Sequence, residues 1–164
     1  MGSAEEPDKS AEASPSSPPA TPAPAAAETP AAASAARAVL VVEDSMPTRR
    51  MMVKIFKQQG VSAVEATDGQ AALDMLNGKG PDAFSLILCD LLMPVMDGPH
   101  FIVEARKLHA DKLPPILICS SRTDRETLDL VMKLGVAGYI LKPFKTEMFI
   151  AKVRQFIAPS PAPQ

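Results

Sequence analysis

Between residues 37 and 158, short apolar runs alternate with longer stretches in which apolar residues recur every three or four positions. The runs read as strands buried on both faces of a parallel sheet, and the stretches between them as helices that cover it, so the pattern predicts repeated βαβ units. Five strands are expected, at Val39–Val42, Ser62–Ala66, Leu86–Cys89, Ile116–Cys119 and Tyr139–Leu141, the second with the weakest pattern. Helix starts carry physical signals. Pro47 suits a first helical turn, Asp68 precedes Gly69 and the run from Gln70 to Leu76, and Thr123 with Glu126 has capping-box spacing. In the first helix Met51 stacks on Ile55 and Met52 on Phe56 at i, i+4, which assigns both methionines to the core, and Gly60 closes the helix.

Composition separates this core from its flanks. Residues 1–36 are Ala, Pro, Ser and Glu with almost no large apolar side chain, too little buried surface to offset the entropy of ordering, so a disordered tail is expected. A short Pro-rich end of the same kind follows at 159–164, leaving function to residues 37–158. The formal charge of −2 provides no basic field for nucleic acid and no cationic helix for a membrane surface. Glu5, Glu6 and Asp8 stand where a secretory signal would be basic, and the apolar runs are too short to span a bilayer, which predicts a cytoplasmic protein. Cys89 and Cys119 lack CxxC spacing and read as small buried hydrophobes on neighbouring strands. His100 and His109 are not at metal spacing and read as surface residues of the third helix.

The candidate chemistry lies at strand ends. In a doubly wound sheet the loops after the strands line the ligand crevice. Glu43 and Asp44 follow the first strand, Asp90 the third, Ser120 the fourth and Lys142 the fifth, so all five can converge on one rim. Two unit charges about 4 Å apart repel by roughly 4 kcal/mol at an effective dielectric near 20, a cost that a divalent cation relieves. All-oxygen donors completed by water and phosphate oxygens suit Mg2+. Lys142 provides a compact positive charge for phosphate oxygens, and the Ser120 hydroxyl can donate to one.

Four segments, VLVVEDS from Val39, CDLLMPVMDG from Cys89, PILICSS from Pro115 and GYILKPF from Gly138, occur in this order over a core running to Phe156. Together they resemble the receiver domain of two-component response regulators, chiefly the single-domain, chemotaxis-type members. The resemblance implies a flavodoxin-like (βα)5 α/β fold with a five-stranded parallel sheet in the order 2-1-3-4-5. It implies that Asp90 is the phosphoacceptor, that Asp44 and the Leu92 backbone carbonyl are Mg2+ ligands, and that Glu43 holds the ion through water. Ser120 becomes the switch hydroxyl, Tyr139 the switch aromatic, and Lys142 the phosphate contact ahead of a cis Lys142–Pro143 bond. The phosphoryl group comes from a phosphohistidine on a sensor histidine kinase, and the charge it adds repacks the surface of helix four, strand five and helix five, where a target protein reads it. The implied molecule is a monomer or weak phosphorylation-dependent dimer that catalyses its own phosphorylation and dephosphorylation. It departs from the family at Leu92 and Arg122, two residues after Asp90 and Ser120, which flank the path of the hydrolytic water.

Too few residues follow Phe156 for an output module, so a stand-alone receiver is expected. The alternatives within this class are a phosphorelay intermediate and a piece of a larger hybrid kinase or regulator. A flavin- or nucleotide-binding protein of the same fold is disfavoured, because Glu43-Asp44-Ser45 would repel a phosphate that a glycine-rich loop would cradle.

Overall fold

The strands are continuous apolar runs because both faces of their sheet are covered. In a computed structural model, which describes residues 37–157, they are β1 (Ala38–Val42), β2 (Ala63–Ala66), β3 (Phe84–Cys89), β4 (Ile116–Ser120) and β5 (Gly138–Leu141). Between and after them lie α1 (Met46–Gln58), α2 (Gly69–Lys79), α3 (Gly98–His109), α4 (Arg125–Lys133) and α5 (Thr146–Val153). All pairings are parallel and the order is β2-β1-β3-β4-β5, the doubly wound arrangement expected. The expected tail at 1–36, Ala158 and the end at 159–164 lie outside the described residues.

Strand alternation distributes the core between two faces. Val41, Leu88 and Leu117 pack with Phe56 of α1 and Phe149 of α5. Their neighbours Val42, Ile87 and Ile118 pack on the other side with Leu76 of α2, Phe101 of α3 and Val131 of α4. Burying one such side chain contributes roughly 1.5–3 kcal/mol. Phe149 is a keystone of the first face: its ring centroid lies 5.6 Å from that of Phe56, edge-on, and 4.7 Å from that of Phe144, stacked.

The same alternation decides the cysteines. Cys89 and Cys119 are buried on neighbouring strands, but one faces α2 and α3 while the other faces α1 and α5, so they cannot form a disulfide in the folded chain. Burial, aided by the nearby Asp90 and Glu43 charges, pushes the Cys89 thiol well up, and burial pushes Cys119 up to about 12. Both thiols are therefore neutral at pH 8. A maleimide reagent at that pH should label neither in the folded protein and both after denaturation, read by intact mass.

The strands differ from the sequence expectation at their ends. β2 starts at Ala63, although the Ser62 carbonyl still accepts from the Val39 N–H at 2.8 Å; it is an edge strand, half-exposed, and hence the weakest pattern. β1 and β3 start earlier, at Ala38 and Phe84, β4 runs on to Ser120 and β5 starts at Gly138, because backbone pairing continues past the expected runs. Two expectations are corrected. Asp124, and not Thr123, caps α4: its carboxylate accepts from the Thr127 N–H at 2.9 Å, and hydrogen bonding from the Thr127 side chain, then from its N–H, holds it below the usual carboxylate range. Met51 is 43% exposed while Met52 is buried, since the inward stripe of α1 is Arg49, Met52, Ile55 and Phe56. Pro47 in the first turn, Asp68 as a cap accepting from Ala71, and Gly60 at φ +71 just beyond α1 all lie where expected.

Candidate functional site

Register brings the acids together. Val42 of β1 lies beside Cys89 of β3, and the Asp90 N–H extends the ladder to the Val42 carbonyl at 3.0 Å, so Glu43, Asp44 and Asp90 emerge side by side where the strand order reverses. Carboxylate oxygens of the three lie within 4.8 Å of one another; Glu43 and Asp90 are buried and Asp44 is exposed. Among the described residues this is the one grouping of three or more acidic, His or Cys side chains with such spacing. Its donors are all hard oxygens, a set that fits Mg2+ and offers nothing to a softer metal.

Lys142 closes the site from the far side. Its backbone N–H donates to the Ser120 carbonyl at 2.9 Å across the β4–β5 pair, and its side chain returns over β4 to donate to Glu43 Oε2 at 2.5 Å and Asp90 Oδ2 at 2.7 Å. The Lys142–Pro143 bond is cis. Burial pulls the Lys142 ammonium down, but the hydrogen bonds to Asp90 and Glu43 outweigh it and hold the group above its ordinary value. Burial raises the Glu43 carboxyl, and the bonds from Lys142 only partly oppose this. The other oxygen of Asp90 accepts from the Leu91 N–H at 2.6 Å and the Leu92 N–H at 3.4 Å, which fixes the carboxylate plane.

Ser120 is buried at the end of β4, its hydroxyl oxygen accepting from the Arg122 N–H at 3.4 Å. The Tyr139 hydroxyl donates to the Arg122 carbonyl, so the half-buried ring is tied to the loop that follows Ser120. Burial raises the Tyr139 phenol. The Arg122 guanidinium lies 3.7 Å from Asp124 Oδ2, and the Leu92 side chain is 55% exposed. His100 is exposed and His109 half-buried on α3, where His109 Nε2 meets Asn77 Oδ1 at 3.0 Å; both lie apart from the acidic cluster.

Two features of the passage from β3 into α3 were not foreseen. Gly98 donates to the Leu91 carbonyl at 3.0 Å, and a Cβ there would lie 2.4 Å from the Asp90 carbonyl, so only glycine lets the loop fold back on the site. Val95 has φ +68 and is 86% exposed. A β-branched residue is strained there and buries nothing in return. Val95→Asn, which tolerates this backbone, should stabilise the protein by about 0.5–1 kcal/mol in urea unfolding. Arg49 was also missed: its spacing to Met52 and Phe56 places it on the inward stripe of α1.

Three comparisons bear on this geometry. The family profile described as response regulator receiver domain matches residues 39–154. The chain is 33% identical over 119 residues to the phosphate regulon transcriptional regulatory protein PhoB of Escherichia coli K12, covering 73% of this chain and 51% of that protein. It is 37% identical over 121 residues to the sensor histidine kinase CheAY of Helicobacter pylori, covering 73% of this chain and 15% of that protein. The chain thus spans about half the length, or less, of these curated relatives. Among solved structures, chemotaxis protein CheY4 of Vibrio cholerae superposes with a TM-score of 0.68 at 29% identity, covering 75% of this chain and all of that one.

Proposed function

This chain belongs to the response regulator receiver domain family of two-component systems, and on that premise we propose that it is a phosphorylation switch whose acceptor is Asp90. The observation that carries the reading is the setting of one carboxylate: Asp90 is anchored by two backbone N–H groups on one oxygen and by Lys142 on the other, beside a cation-fitting cluster. In this reading the P–N bond of a phosphohistidine on a sensor histidine kinase breaks as an Asp90 O–P bond forms. Asp44, Asp90 and the Leu92 carbonyl, with Glu43 through water, would hold Mg2+, which when bound would supply charge neutralisation for the transferring group. Lys142 and the Ser120 hydroxyl take the remaining phosphate oxygens.

The output follows from the same residues. Drawing Ser120 towards the phosphate moves the loop carrying the Arg122 carbonyl, to which Tyr139 is bonded, and so shifts the packing of α4, β5 and α5. That surface already exposes Leu130, Met132, Leu141 and Met148, apolar contacts for a target protein. The domain spans residues 37–158 between its flanks, works in the cytoplasm, and is a monomer or weakly dimerises when phosphorylated. Among the described residues no helix is long and apolar enough to cross a membrane. The match to a segment of a histidine kinase equally favours use of this domain inside a larger protein.

Titration with beryllofluoride and Mg2+, watched by amide NMR, tests the switch. The largest shifts should fall at Asp90, Ser120 and Tyr139; a response elsewhere, or none, overturns it. A further expectation concerns lifetime. Arg122 is turned towards Asp124, so shielding of the acyl phosphate from water falls mainly to Leu92. Leu92→Asn should lose its phosphoryl group several-fold faster than the parent, measured as decay of phosphoprotein after removal of the donor.

A further inference from the structure

Beneath the acidic loop lies a buried guanidinium that bonds its main chain. Arg49, at the end of the first turn of α1, is 9% exposed. Its Nη1 donates to the Glu43 carbonyl at 2.7 Å and to the Asp44 carbonyl at 3.3 Å, and its Nε donates to Glu65 Oε2 on β2 at 2.9 Å. We infer that Arg49 is the positioning residue of the cation site, fixing the peptides of Glu43 and Asp44 so that both carboxylates meet Asp90.

The inference deepens the reading of that site and rests on it. Three carboxylates crowded within 4.8 Å repel one another, and Asp44, the exposed one, is free to relieve the repulsion by swinging into solvent. Only residues 43–45 join β1 to α1, so rotation of the two peptides that Arg49 holds would redirect both acids. One guanidinium nitrogen gathers both carbonyls while the Nε ties the assembly to the sheet edge through Glu65. The planar fork presents its N–H groups in fixed directions, a set that a lysine ammonium could not reproduce. Arg49 touches no carboxylate of the cluster among its hydrogen bonds and therefore acts through the backbone. Outer-shell groups of this kind typically change metal affinity by about 10–100-fold when removed.

The test measures Mg2+ affinity directly, by calorimetry on the full chain, beside thermal unfolding in EDTA and phosphorylation by acetyl phosphate as Mg2+ is varied. Arg49→Met should weaken Mg2+ binding by about tenfold or more, Arg49→Lys should fall between, and Glu65→Gln should lose about two- to threefold. The Mg2+ concentration for half-maximal phosphorylation should rise in step, with a smaller change in the maximal rate. A lowered melting temperature with unchanged Mg2+ affinity would overturn the inference and leave Arg49 a strut between α1 and β2. If Arg49→Met fails to fold, Arg49→Lys decides, and an affinity equal to the parent's overturns the proposal. If the parent itself takes up no Mg2+, the reading of the cation site fails, and this inference with it.

Discussion

Asp90→Asn should take up no phosphoryl group from acetyl phosphate and Mg2+, while the parent gains one per chain by intact mass. An amide lacks the anionic oxygen that attacks phosphorus, and no neighbouring group replaces it: Glu43 is buried behind Lys142, and its carboxyl is raised by burial. The fold should survive. The substitution loses the charge-assisted bond from Lys142 but also removes one of the crowded negative charges, so the net change in stability should stay within about 1 kcal/mol. The two N–H donors from Leu91 and Leu92 keep a carbonyl oxygen to bond. Phosphoryl uptake by the variant equal to the parent's would remove Asp90 from its proposed role.

Lys142→Met should have the next largest effect, and it separates stability from chemistry. Methionine keeps most of the stem but leaves Glu43 and Asp90 without the cation that bonds both. Breaking a buried pair by removing one partner costs several kcal/mol; with Lys142 17% exposed, a loss of about 2–3 kcal/mol in EDTA is expected. Mg2+ should restore more stability to the variant than it adds to the parent, because it becomes the only counter-charge for the cluster. Phosphorylation should remain slow even at saturating Mg2+, since the variant lacks the contact with phosphate oxygens proposed for the lysine. A variant with parental stability in EDTA, or parental phosphorylation rates, would refute the assignment. The pH dependence has a definite sign. The Lys142 ammonium is held above its ordinary value, so its contribution is complete below the ordinary lysine range and is lost as pH rises through the folded value. Across pH 6–9 the gap between parent and variant that arises from this group should therefore stay constant.

The readout predicted at Tyr139 follows from a tether that no local pattern announces. The tyrosine hydroxyl reaches the Arg122 carbonyl 17 positions earlier in the chain, and that loop begins at the buried Ser120. In the proposed switch, displacing that loop would break or carry this bond, the route by which charge added at Asp90 would reach the exposed apolar face on α4, β5 and α5.

By itself the sequence determined the five strands, the helices between them and the residue types at the strand ends, because apolar period, caps and strand length are local properties of a chain. Val39–Val42 and Ile116–Cys119 could be read as buried strands from their side chains alone. Only the tertiary structure decided what those ends meet. Pairing of β1 with β3 places Glu43 and Asp44 beside Asp90, and the path over β4 brings Lys142 to Glu43 across 99 positions of sequence. It also decided the corrections: Asp124 caps α4 because its carboxylate reaches the Thr127 N–H, and Met51 is exposed because α1 turns Arg49 and Met52 inward instead. The inward turn of Arg49 was hidden for a physical reason. An arginine is buried only where several acceptors converge on it, and here they come from the Glu43 and Asp44 carbonyls and from Glu65 on another strand, a convergence that exists only once the sheet has formed.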